Sequence, residues 1–166
     1  MRGLTGLERF NRLPDEEAVA ELLAVCHSRR WAERVAEGRP YPDLAALQRV
    51  ADQVWLGLGP RDWREAFAAH PRIGSGGGAA PEWSRQEQAG VAGADQDLAE
   101  RLARGNAEYE GRFGHVFLIS AAGRDAEEIL AALRQRLGND PATELRVAAG
   151  EHRRITRLRL ERLIEG

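Results

Sequence analysis

Four histidines, His27, His70, His115 and His152, are the side chains in this sequence able to exchange protons near neutral pH. One of them has an unusual setting. His70 lies in Ala69-His70-Pro71-Arg72-Ile73-Gly74, where an apolar helical pattern runs in and a glycine-rich stretch runs out. A residue before proline is pushed out of the α region, so His70 is predicted to leave its helix just as the chain bends. An imidazole held there can act as a general acid or base. As a cation facing the helix macrodipole it can equally serve to cap the last carbonyls. Local sequence leaves both readings open.

The other candidate groups face similar contests. Glu87 closes Ser84-Arg85-Gln86-Glu87, which has the S-x-x-E form of a helix-starting capping box, and Gln88 follows it. Arg159 shares a helical stripe with Glu151 and Ile155, a setting that invites either a protein carboxylate or an anionic ligand. His27 and His152 read as surface or helix-flank residues. His115, after Gly114, could border a pocket or satisfy a loop carbonyl. No histidine pair has H-x₃-H or HExxH spacing, so the expectation is no metal site. All 24 basic residues are arginine, which rules out a Schiff-base or phosphate-loop lysine. The single cysteine, Cys26, permits no internal disulfide and reads as a small buried hydrophobe in a reducing compartment.

These groups must be positioned by helices, because the periodicity is helical almost throughout. With 166 residues, 43% hydrophobic and 30% charged, the chain has the composition and length of one domain with a real core. Pro14-Asp15-Glu16-Glu17 opens a helix with Val19, Leu22, Leu23 and Cys26 on its apolar face. A short helix around Trp31–Val35 ends at Gly38, and Arg39-Pro40-Tyr41-Pro42 forms a rigid turn. From Asp43, the positions Leu44, Leu47, Val50, Val54 and Leu58 mark an amphipathic helix, and the next carries Trp63 and Phe67 at i, i+4. Ser75 to Ala80 reads as a flexible connector or lid. Later helices carry Leu98, Leu102, Tyr109 and Phe113, then Ile129, Leu130, Leu133 and Leu137, then a last one from Asp140-Pro141 to near the terminus. Val116–Ile119 is β-favouring but isolated, and reads as an extended segment lining the core. The expectation is an all-α fold, a single compact domain over residues 1–166, with roughly seven to nine helices and no significant sheet. A formal net charge of −2 argues against nucleic acid or anionic membrane as partner. No apolar run is long enough to span a bilayer and no signal-peptide segment is visible, so a cytoplasmic location is expected.

Combined, the motifs are more specific than any one alone. Trp63 through Gly74, followed by Trp83-Ser84-Arg85-Gln86-Glu87-Gln88-Ala89-Gly90, resembles the signature of the OHCU decarboxylase family. The likeness extends to Phe10-Asn11-Arg12-Leu13, Cys26 through Trp31, Arg39-Pro40-Tyr41, Asn106 through Gly114, and Glu151…Ile155…Arg159-Leu160, in order along the chain. The resemblance implies an all-helical, often dimeric enzyme without metal or organic cofactor. It would convert 2-oxo-4-hydroxy-4-carboxy-5-ureidoimidazoline to S-allantoin late in urate oxidation. On this resemblance the catalytic residues are His70 and Glu87. The substrate contacts are Pro71, Ser84, Arg85, Gln86, Glu87, Gln88, the segment Phe117-Leu118-Ile119-Ser120-Ala121, and Arg159, with Arg157 as the alternative arginine. One departure stands out: Phe113-Gly114-His115 occupies a place where the family often has Phe-Gly-Phe. Two other functions remain compatible with the residues. One is a different cofactor-free hydrolase or isomerase of a related ureide; the other is a non-catalytic helical interaction module in which His70 and Glu87 only cap helices.

Overall fold

A computed structural model describes residues 4–72 and 96–165 of the protein. Eight helices lie among the described residues: α1 (Gly6–Arg12), α2 (Asp15–Val25), α3 (Arg29–Glu37), α4 (Leu44–Leu56), α5 (Pro60–Phe67), α6 (Gln96–Phe113), α7 (Ala126–Leu137) and α8 (Pro141–Glu165). No strand occurs among them, as the periodicity predicts. The chain divides into two compact units, one of residues 1–66 with 153–166 and the other of residues 67–152.

In the first unit most helix starts are set by short polar side chains. Thr5 and Glu8 form a reciprocal capping box on α1, while Ser28 and Asp43 cap α3 and α4. Helix α1 was not anticipated, although Thr5-Gly6-Leu7-Glu8 carries the T-x-x-E signal. The burial stripe of α2 is Ala18, Leu22 and Val25, with Val19 and Leu23 only half-buried; Cys26 lies beyond the helix as its C-cap. On α4 the buried face is Leu47, Gln48, Ala51 and Trp55; of the predicted stripe Leu47 and Leu58 are buried, while Leu44, Val50 and Val54 are only half-buried, so the face is rotated toward Trp55. The rotation follows the largest side chain: Trp55 packs on Trp63, whose indole N–H donates to Trp55 O at 3.0 Å. A polar knot binds the N-terminal segments. Asn11 exchanges two hydrogen bonds of 2.9 Å with the Tyr41 backbone. Arg39 donates to the carbonyls of Phe10, Leu13 and Ala36 and to Asp15. The sequence places Asn11, Arg39 and Tyr41 in its family-like motifs, and here they hold backbone.

The second unit is built on Leu102, Tyr109, Phe117, Ile119, Ile129 and Leu133. Helices α6 and α7 approach closely at Gly105, where any Cβ would collide with the Leu133 side chain. Gly114 stops α6 in a left-handed conformation (φ 79°) that other residues adopt only with strain. Residues 116–120 then run extended, with Phe117, Leu118 and Ile119 buried, as predicted for that segment. Asp125 and Glu128 form the capping box of α7, and Asp140 accepts from the Thr143 N–H at 2.9 Å to start α8.

Candidate active site

The segment bearing His70 is fixed from its backbone outward. Helix α5 ends at Phe67, and the His70 N–H donates to Phe67 O at 3.0 Å, so the chain makes one further turn before Pro71 ends it. The His70 side chain is half-buried. Its ring and that of His152 meet in a T-shaped pair, with centroids 4.8 Å apart and planes at 76°. Phe67, one turn earlier, packs on His152 at 5.8 Å and on His115 at 5.2 Å. Phe67 therefore ties the end of α5 to the beginning of the extended segment 116–120. His115 in turn meets Tyr109 at 5.5 Å, and its Nδ1 lies 3.1 Å from Val116 O.

His152 corrects the sequence reading. It is fully buried on α8 rather than at a surface. Its signal was available in the pattern Leu145, Ala148, His152, Ile155, where it occupies a core position of the helix. His27 is exposed, as expected.

Arg72 anchors the chain just beyond Pro71. Its Nε and Nη2 donate to the two Glu110 oxygens at 2.6 and 2.9 Å, a bidentate fork. That hydrogen bonding holds the Glu110 carboxyl below its ordinary pKa. A lowered carboxylate pKa gives a contribution that is complete above the unfolded-state pKa and lost as pH falls through the folded one. Carboxyl ¹³C titration should therefore place Glu110 below the ordinary glutamate value of about 4.3, and Arg72→Gln should bring it back up toward that value. An unchanged midpoint in the variant would show that the fork does not hold the carboxylate in solution.

The extended segment is held from behind. Arg136 donates to Leu118 O at 2.5 Å and to Glu144, while the carboxylate of Glu144 also accepts from Asn139 at 3.1 Å and from the Tyr109 hydroxyl. Burial, followed by the hydrogen bond to Glu144, pushes the Tyr109 phenol well above its ordinary pKa, so it stays a donor. The Arg136 guanidinium also lies over the Phe117 ring at 4.6 Å.

The remaining sequence candidates divide by place. Ser84, Arg85, Gln86, Glu87 and Gln88 lie outside the described residues. Arg159 is in the first unit, buried, with Nη1 donating to Val25 O at 3.1 Å. Its alternative, Arg157, pairs with Asp52 at 2.7 Å on an exposed face. Cys26 is buried, and desolvation pushes its thiol up to about 12, which makes it unreactive. An open cleft of about 600 Å³ in the first unit is lined by Asn11, Asp15, Glu33, Glu37 and Arg39 among others, and by none of the predicted substrate contacts. Among the described residues no cluster of His, Cys, Asp and Glu could hold a metal ion, and no helix is long and apolar enough to cross a membrane.

Fold and site together define an all-helical protein that presents one imidazole at a helix end, backed by a second buried imidazole and by aromatic rings. The OHCU decarboxylase family model matches residues 11–161, and the chain belongs to that family. It is 34% identical over 139 residues to a 2-oxo-4-hydroxy-4-carboxy-5-ureidoimidazoline decarboxylase of Amia calva, covering 81% of this chain and 79% of that one. It is 32% identical over 145 residues to a uric acid degradation bifunctional protein of Arabidopsis thaliana, covering 83% of this chain but only 44% of that longer protein. In a solved structure, that of an OHCU decarboxylase in the presence of (S)-allantoin, the fold agrees with a TM-score of 0.79 at 31% identity. The match covers 93% of this chain and 100% of that one.

Proposed function

We propose that the chain, acting as one module over residues 1–166, decarboxylates 2-oxo-4-hydroxy-4-carboxy-5-ureidoimidazoline to S-allantoin. The observation that carries this reading is the setting of His70 inside the family match. Its half-buried imidazole lies at a helix end that Phe67 ties to the extended segment through His115. Loss of CO₂ leaves an electron pair on the ring carbon, and the adjacent C=N bond of the substrate receives it. The substrate thus supplies its own electron sink. What the protein must add is orientation of the carboxylate, removal of the hydroxyl proton as the decarboxylated carbon becomes a carbonyl, and delivery of a proton from one face to the neighbouring carbon that began in the C=N bond. A half-buried imidazole suits the last two tasks, since its two ring nitrogens can accept a proton and give one up.

On the resemblance, Glu87 orients His70 or holds the ureido N–H groups, and Ser84, Arg85, Gln86 and Gln88 bind substrate beside it. Pro71 and the backbone of Phe117-Leu118-Ile119-Ser120-Ala121 would read the ring amides, and Arg159 a substrate oxygen. The same resemblance makes the enzyme a cofactor-independent homodimer. We place it in the cytoplasm, with a small ureidoimidazoline rather than nucleic acid or membrane as its partner. Freshly prepared substrate, followed by circular dichroism or chiral chromatography, tests the reading. An excess of S-allantoin formed faster than the spontaneous racemic product is expected. Racemic allantoin appearing at the background rate would sink it.

A further inference from the structure

We propose that His152 is a positioning residue for this reaction, its buried ring setting the plane in which the His70 imidazole faces substrate. The inference rests on the proton-transfer role of His70 proposed above. The backbone of His70 is set by the bond from its N–H to Phe67 O, but that bond leaves the side-chain torsions undetermined. The second torsion of histidine is broad and roughly two-fold, so the plane of the ring has to come from its neighbours. His152 supplies such a neighbour. It belongs to α8, a helix of 25 residues, is fully buried, and touches the rings of both Phe67 and His70. Phe67 ends the helix that leads to His70, so one imidazole is braced against the helix end and against the reactive ring at once. The 76° crossing at 4.8 Å is the edge-to-face arrangement that aromatic pairs prefer, and turning the His70 ring parallel to His152 would lose it.

The test compares His152→Leu and His152→Gln, which remove the ring, with His152→Phe, which keeps a planar edge without nitrogen. Steady-state kinetics should show kcat falling by roughly 10- to 100-fold in the Leu and Gln variants at nearly unchanged KM, the signature of a misaimed group. His152→Phe should restore most of the lost kcat. The ring resonances of His70, read by ¹H–¹³C and ¹⁵N NMR, should broaden or shift toward free-imidazole values in the Leu and Gln variants and return in the Phe variant. Wild-type kcat in a folded Leu or Gln variant overturns the inference. So do His70 resonances that do not respond, or Phe behaving no better than Leu. Because the NMR readout needs no turnover, it decides the positioning role even if the protein were found not to decarboxylate this substrate. Either ring-removing variant suffices if the other fails to fold.

Discussion

Replacing His70 by asparagine is expected to leave a folded protein whose catalysed rate falls by about 100- to 10,000-fold, the range typical of a lost general acid–base group. In free energy that is about 3–5 kcal/mol of transition-state stabilisation. Asparagine keeps a planar polar side chain and does not disturb the bond from the residue 70 N–H to Phe67 O, since that bond is made by backbone. It cannot deliver a proton to carbon. If His70 only caps α5 as a cation, the loss would appear in stability, at about 0.3–1 kcal/mol, and not in rate. For a chain of this size that is a melting shift of no more than about 2–4 °C. Spontaneous decay of the substrate sets a floor under any rate measurement, so the enantiomeric excess of the allantoin is the more sensitive reading. Excess near zero with an unchanged melting temperature is the expected result. A near-normal S excess in the variant would remove His70 from the chemistry and leave the helix-cap explanation standing.

Much of the architecture was legible because it rests on local rules. Asp43, Asp125 and Asp140 mark helix starts by side-chain chemistry alone, and Gly114 marks a stop that needs a positive φ. The extended run Val116–Ile119 was also readable, from its β-favouring residues between two helix signals. What local rules missed depends on packing across elements. The buried face of α4 turned toward Trp55 because two indoles met, and no periodicity within the helix contains that partner. For His152 the apolar stripe of α8 did carry the signal of burial, but the rings it packs on, those of His70 and Phe67, come from another part of the chain and could not be read from it. The arginine that holds Leu118 O was likewise invisible, since Arg136 looks like an ordinary basic residue in the last turn of a helix. Of the candidate site, His70 was identified from its bend before Pro71, but its tie to the extended segment runs through Phe67 and His115, which the sequence does not connect.

Breaking the Arg136–Glu144 pair is expected to be the most destabilising single change among the described residues. Glu144 is 0% exposed and Arg136 7%, so both charges are out of water. Three residues donate to the carboxylate, Arg136 through Nε and Nη2, Asn139 and Tyr109, and the guanidinium also holds Leu118 O. Truncating Glu144 to alanine leaves a buried cation, a phenol and an amide without their common acceptor. Removing one member of such a pair costs about 3–5 kcal/mol, a third or more of the stability of an ordinary domain. A buried ion pair can often be exchanged for apolar residues at little cost. Here the exchange is expected to fail, because Arg136→Met with Glu144→Leu would still strand the Tyr109 hydroxyl, the Asn139 amide and Leu118 O, at about 1–3 kcal/mol for each buried group left unpaired. Urea denaturation gives the measurement: a lower midpoint at unchanged slope for Glu144→Ala, with the double variant recovering only part of the loss. Full recovery in the double variant would show that the network is replaceable packing. The Tyr109 donor adds a pH direction. A phenol whose pKa is raised in the fold contributes below the ordinary tyrosine pKa of about 10 and loses that contribution as the solution becomes strongly alkaline. Stability lost with Glu144 should also be lost locally at the extended segment, since Arg136 is what holds Leu118 O. Faster amide exchange at residues 117–121 than in α7 would therefore accompany the global effect, and uniform protection would separate the ion pair from the segment it is expected to brace.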